Sequence, residues 1–142
     1  MIIIRHRRNT DEELAEISIN HGAEIDIRSQ GEHLVLHHEP YEAGNRFDTW
    51  LENFDHGTLI LNVKEEGLED RVLELMAKNG IDDFFFLDQS FPFLVKTSRT
   101  GESRCAVRVS EFENIDTAMS LAGKVDWVWV DCFTRFPLDI ES

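Results

Sequence analysis

The chain has 142 residues, 42% of them hydrophobic and 30% charged, a composition that fits one folded domain and excludes wholesale disorder. Fourteen lysines and arginines face 28 aspartates and glutamates, giving a net charge of −14 with histidine neutral. Such a surface repels phosphate backbones and anionic headgroups, which excludes nucleic acids and membrane surfaces as general partners; a small phosphorylated ligand held by local basic residues remains compatible with it.

No apolar run reaches the roughly 20 residues that span a bilayer. Three isoleucines followed by Arg5-His6-Arg7-Arg8 stand in the wrong order for a secretory leader. Cys105 and Cys132 have neither metal nor disulfide spacing, and each lies in an apolar run, as packed thiols do. The expectation is a cytoplasmic protein, one α/β domain over residues 1–142.

The first strand is predicted at Ile2–His6. Thr10-Asp11-Glu12-Glu13 reads as a capping box opening a helix that carries Leu14, Ile17 and His21 on one side and stops at Gly22. A second strand, Ala23–Arg28, turns through Ser29-Gln30-Gly31 into a returning arm, His33–His38. Asn45–Phe54 is predicted helical, with Phe47, Trp50, Leu51 and Phe54 on one side. Thr58–Lys64 reads as a strand covered on both faces. Leu68, Val72, Leu75 and Met76 mark the next amphipathic helix, ended by Asn79-Gly80. A strand at Phe84–Asp88, a helix near Phe91–Ser98, a strand at Cys105–Ser110, a helix at Asn114–Ala122 and a strand at Val125–Asp131 complete the series. Strand and helix alternate about every two dozen residues, the pattern of parallel strands joined by right-handed crossovers. Six strands fit either an incomplete barrel or an open doubly wound sheet.

In both architectures the functional side is the carboxyl end of the strands. His6, Arg7 and Arg8 follow the first strand, and Asn62 and Lys64 close the third. Asp88, then Arg108 with Ser110, then Asp131 end the later ones. Glu24 and Asp26, two apart, share one strand face. Two buried carboxylates side by side repel unless a cation resolves the repulsion, and oxygen ligands suit Mg²⁺ or Ca²⁺. Balance by Arg28 or Lys64 is the alternative. A turn centred on Gln30-Gly31 sets His37 opposite Glu24, and one step of register brings His38 there instead. A histidine pair beside a metal is equipped for acid–base cleavage of a phosphodiester.

His6-Arg7, Gly22-Ala23-Glu24-Ile25-Asp26, Leu34-Val35-Leu36 with His38-Glu39-Pro40, and Leu61-Asn62-Val63-Lys64 together resemble the opening half of the glycerophosphodiester phosphodiesterases and their phosphatidylinositol-phospholipase-C-like relatives. The resemblance implies an incomplete TIM-like (β/α) barrel of about six parallel strands, with an added hairpin after the second strand. It makes His6 and His38 the acid–base pair, Glu24, Asp26 and Asn62 the ligands of a divalent cation, and Arg7 and Lys64 the holders of the substrate phosphate. The implied substrate is a small glycerol- or sugar-linked phosphodiester, in a lipid-metabolic setting. Three departures stand out: Arg8 where the family has glycine, Asn62 where it has an acidic residue, and Glu39 where it has aspartate.

Asn62 and the brevity of the chain support a different class, a non-catalytic or partner-dependent binding domain with a degenerate barrel site. The joint presence of His6, Glu24, Asp26, His38 and Lys64 supports the enzyme. Phe84-Phe85-Phe86 is expected to be core, and Trp127 and Trp129, sharing a strand face, are expected to fill the interior. An open curled sheet leaves unpaired edges. The chain is therefore expected either to form a homodimer across its last strand or to cover the gap with Phe133, Phe136 and Leu138.

Overall fold

The computed structural model describes residues 1–138, in two compact units that divide between Gln89 and Ser90. The first contains β1 (Ile4–Arg5), α1 (Asp11–Ala15), β2 (Gly22–Gln30), β3 (His33–Leu36), β4 (Asn45–Arg46), α2 (Phe47–Leu51), β5 (Leu59–Val63), α3 (Glu69–Lys78) and β6 (Phe84–Leu87). The capping box forms as predicted: the Glu13 amide donates to Thr10 Oγ1 at 3.1 Å, and that hydroxyl donates to the Glu13 carboxylate at 3.0 Å.

Gly22 does not stop the first helix, which ends at Ala15; it opens β2. Its N–H donates to the Ile3 carbonyl at 2.8 Å, and any Cβ on it would overlap the Thr58 carbonyl oxygen. The glycine serves close approach of two backbones rather than helix termination. The extended pair Asn45–Arg46, predicted helical, pairs antiparallel with β3, and α2 starts only at Phe47.

The six strands make one mixed sheet in the order β4-β3-β2-β5-β6, with β1 added on β2. β1, β2, β5 and β6 are mutually parallel; the β2–β3 and β3–β4 pairs are antiparallel. β5 runs along β2 from Ala23 to Ile27, so β1 at Gly22–Ala23 and β3 at Ile27–Gln30 must share the opposite edge. Between them, at Glu24–Asp26, that edge carries no strand.

The ladder also sorts the faces. Ala23, Leu59 and Phe84 are in register, as are Ile25, Leu61 and Phe86, and these six share one buried face. The other face carries the rows Glu24–Ile60–Phe85 and Asp26–Asn62–Leu87. Ile60, Phe85 and Leu87 are themselves buried, so the polar groups beside them are removed from water. Phe84, Phe85 and Phe86 are core, as expected.

The second unit contains α4 (Phe91–Arg99), β7 (Ala106–Val109), α5 (Ile115–Ser120) and β8 (Trp127–Val130). β7 and β8 pair in parallel as a separate sheet over a small core of Leu94, Cys105, Val107, Val109, Ala118 and Leu121. The expected hairpin after the second strand is present as β3 and β4; the parallel strands fall into two sets, β1, β2, β5 and β6 in the mixed sheet and the pair β7 and β8, and among the described residues strand pairing does not close a barrel. Trp127 and Trp129 do share a face, but neither is fully buried, as filling an interior would require. β8 has β7 as its ladder partner, and Trp127 and Val128 are 36% and 53% exposed. Cys132 is exposed, not packed like Cys105. No helix among the described residues is long and apolar enough to cross a membrane.

Candidate functional site

The uncovered stretch of β2 assembles the site. The chain leaving β1 bends over it: the Arg8 N–H donates to the Glu24 carbonyl at 2.9 Å. The chain leaving β3 bends over it from the other end, with the His37 N–H on the Asp26 carbonyl at 3.1 Å. His6 and Arg7 thus arrive from one side, and His37 and His38 from the other, at the two carboxylates.

His6 is 70% exposed at its side chain, with Nε2 2.7 Å from Oε2 of the buried Glu24. Partial burial, then the Arg7 charge, with lesser pushes from His38 and Lys64, lowers the His6 pKa against an opposing pull from Asp26. Arg7 takes a left-handed φ of 54°, a conformation costing about 1–2 kcal/mol in a non-glycine residue. Its Nη2 reaches His38 Nε2 at 2.9 Å, across 31 positions of sequence.

His38 Nδ1 faces Glu39 Oε1 at 2.8 Å, and this hydrogen bond lowers the Glu39 pKa. Since a guanidinium only donates, Nε2 is the lone-pair nitrogen and Nδ1 carries the proton. Arg28 fixes the loop from behind, donating to the His37 carbonyl at 3.0 Å and the His38 carbonyl at 2.7 Å. The His37 ring folds onto its own loop, its Nδ1 accepting from the Glu39 N–H at 2.9 Å. The hairpin turns at Gly31-Glu32, with Gly31 at φ 59°, so Arg28 faces Val35 and Gln30 faces His33. That register sets His37 beside Asp26, not Glu24, and corrects the pairing expected from a turn at Gln30-Gly31. His38 meets the site because the chain leaves the ladder after Leu36.

Glu24 and Asp26 are 3% and 1% exposed. Burial, then the Asp26 charge, raises the Glu24 pKa to about 7 against the Arg7 amide and the charges of Lys64 and Arg7. Neither Glu24 oxygen makes a hydrogen bond of full geometry. Asp26 is better satisfied: Oδ2 accepts from Asn9 Nδ2 at 3.0 Å, and Oδ1 lies 3.5 Å from Lys64 Nζ. Asn9 also accepts the Asp26 N–H at 2.9 Å, so one buried amide clamps both the backbone and the side chain of Asp26. Asn62, the ladder partner of Asp26, is 6% exposed; its Nδ2 donates to Asp88 Oδ2 at 3.0 Å, and its Oδ1 is buried without a partner.

The residues expected at the site therefore converge within the first unit. Among the described residues no three His, Cys, Asp or Glu side chains form a metal-holding group. Glu24, Asp26 and the Asn62 amide nevertheless fit a hard divalent cation, because unsatisfied buried oxygens on Glu24 and Asn62 flank a second carboxylate. Arg8 turns away to Glu16, 3.5 Å from its carboxylate, and so adds no cation here. Arg108 and Asp131, in the second unit, pair with each other at 2.6 Å, and Ser110 donates to Glu113 at 2.9 Å. Sequence reasoning missed Asn9 and Arg28 as supports of Asp26 and of the His38 loop. Asn9 carries only the weak signal of a polar residue next to a helix cap.

No family model and no curated protein matches this chain. Among solved structures, the crystal structure of the glycerophosphodiester phosphodiesterase from Agrobacterium tumefaciens strain C58 is similar in fold. The TM-score is 0.61 at 13% sequence identity, covering 93% of this chain and 97% of that one. At that identity the likeness is one of fold.

Proposed function

We propose that the chain is a metal-dependent phosphodiester hydrolase acting on a small glycerol- or sugar-linked phosphodiester by histidine acid–base catalysis. The observation that carries this reading is the convergence of His6, Arg7 and His38 on Glu24 and Asp26 over the uncovered edge of β2. A divalent cation, Mg²⁺ or Ca²⁺, held by Glu24, Asp26 and Asn62 supplies Lewis-acid polarisation of the phosphoryl group when bound.

Arg7 and Lys64 hold the phosphate. An incoming phosphate draws the Arg7 guanidinium off His38 and frees Nε2. His6, with its lowered pKa, is neutral near pH 7 and takes the proton of the attacking hydroxyl, from water or from the substrate. His38, its Nδ1–H held by Glu39, takes a proton from solvent on the freed Nε2 and passes it to the leaving oxygen. The low-dielectric floor formed by Ile60 and Phe85 strengthens these interactions.

The test is hydrolysis of bis(p-nitrophenyl) phosphate and of glycerophosphodiesters by EDTA-treated protein, with Mg²⁺ or Ca²⁺ restored. Cation-dependent turnover is the expected result; no turnover with any diester and either cation overturns the enzyme reading. One observation favours a binding domain instead: Lys64 already neutralises part of Asp26 in a site with one acidic residue fewer. That reading predicts saturable phosphodiester binding without turnover.

A further inference from the structure

Asp88 follows the last residue of β6 and holds a left-handed φ of 59°. Strain of this kind at a non-glycine residue persists where the surroundings require it, and here the carboxylate that it aims is the partner of Asn62. A carboxylate accepts hydrogen bonds and does not donate them. The Asn62 amide must therefore turn its nitrogen to Asp88 and its oxygen away. That oxygen is the buried, unpartnered Oδ1, on the residue in register with Asp26 on one side and Leu87 on the other. Without Asp88, an amide can rotate by half a turn and present its donor to the carboxylates, which repels a cation.

We propose that Asp88 is the positioning residue that makes Asn62 a cation ligand, compensating in orientation for the charge that an amide lacks. This rests on the cation reading above. Asp88 touches no reacting atom; it acts by fixing which end of the Asn62 amide the cation meets, as the partners of metal ligands do at roughly 10–100-fold in affinity.

The experiment is calorimetric titration of the EDTA-treated full chain with MgCl2 and CaCl2 at pH 8, for the parent, Asp88→Asn, Asn62→Asp, the double variant and Glu24→Gln, with melting temperatures in EDTA as the fold control. Asp88→Asn is expected to weaken cation binding roughly ten-fold, because the new amide can donate and lets Asn62 flip. In the Asn62→Asp background the same change is expected to cause no loss, since a carboxylate has no wrong end and sheds a like-charged neighbour. Unchanged affinity in Asp88→Asn overturns the proposal and leaves the cation reading standing. An equal loss in both backgrounds also overturns it, as the mark of a merely structural residue. A parent that binds neither cation, or binds as well after Glu24→Gln, removes the cation reading and this proposal with it. If Asp88→Asn fails to fold, Mg²⁺ titration of the ¹⁵N-labelled parent decides. A Mg²⁺-dependent shift of the Asn62 side-chain amide resonances supports the proposal, and an unmoved pair overturns it.

Discussion

His38 is gripped at both ring nitrogens, by Arg7 at Nε2 and Glu39 at Nδ1, while His6 leans on a buried glutamate from the solvent side. Neither ring is part of the packed core, so His6→Ala and His38→Ala are expected to lower turnover by about 10²–10⁴-fold with melting temperature nearly unchanged. His33→Ala, on an exposed ring at the hairpin tip, is expected to leave both untouched. Full turnover in both single variants removes the acid–base proposal. Glu24 gives a pH test of the same site. Its folded pKa of about 7 lies above its ordinary 4.5, so folding takes up a proton between those values. The cation-free protein then loses stability as pH rises from about 4.5 through about 7, on the order of 1–3 kcal/mol from this group. Glu24→Gln is expected to flatten that slope in melting temperature between pH 5 and pH 8 measured in EDTA. An unchanged slope places the titration elsewhere. Which polar residues share the carboxyl-end face of the strands was legible here from type and spacing. What supports them was not: the Asn9 clamp joins positions 17 apart, and no local pattern marks it.

At the scale of elements, the local signals held and the non-local ones did not. The box at Thr10 and Glu13 is complete within four residues, so it reads directly from sequence. Gly22 misleads because its meaning lies at Thr58, a strand away. The hairpin register depended on which residue takes the left-handed turn, and Gly31 with Glu32 moved the pairing enough to exchange the neighbour of Glu24 for that of Asp26. β4 exists only through pairing with β3, and two residues carry no periodicity of their own. The gap between β1 and β3 that admits both histidines is likewise a property of three segments together. Gly22→Ala tests this reading. The added methyl meets backbone rather than a movable side chain, so β1, β2 and the entry to β5 must part. A loss of about 3 kcal/mol, at the upper end for overpacking, is expected from denaturant unfolding, with turnover falling as His6 moves off Glu24. A stable, fully active variant would show that the site does not depend on this contact.

For the molecule as a whole, the open question of association turns on the tail of the second unit. A net charge of −14 opposes self-association, and most strongly at low salt. Against it stand Val128 and Val130 on β8 and the aromatic rings of Phe112, Phe133 and Phe136, all exposed. The tail is nevertheless tied down. Glu111 Oε1 accepts from the amides of Phe133, Thr134 and Arg135 and from the Thr134 hydroxyl, and the Phe133 ring packs 5.8 Å from that of Phe112. Burial pushes the Glu111 pKa up, but its own backbone amide, those of Phe133 and Thr134 and the Thr134 hydroxyl outweigh it and hold the carboxyl at about 2. A depressed carboxylate contributes its stability above its ordinary pKa and loses it as pH falls toward the folded value, so this latch is closed across the neutral range. A cavity of about 450 Å³ lies under the latched segment, lined by Val109, Ile115, Phe136 and Leu138 among others. Ending the chain at Cys132 opens that cavity and removes the latch at once. The expected result in light scattering is a monomeric full chain and a truncated one that associates, more at high salt than at low, with a lower melting temperature. A full chain already dimeric would instead put the seam on β8, and Val128→Lys should then return it to monomer. A truncated chain that stays monomeric and equally stable contradicts both, and leaves the charge alone to keep copies apart.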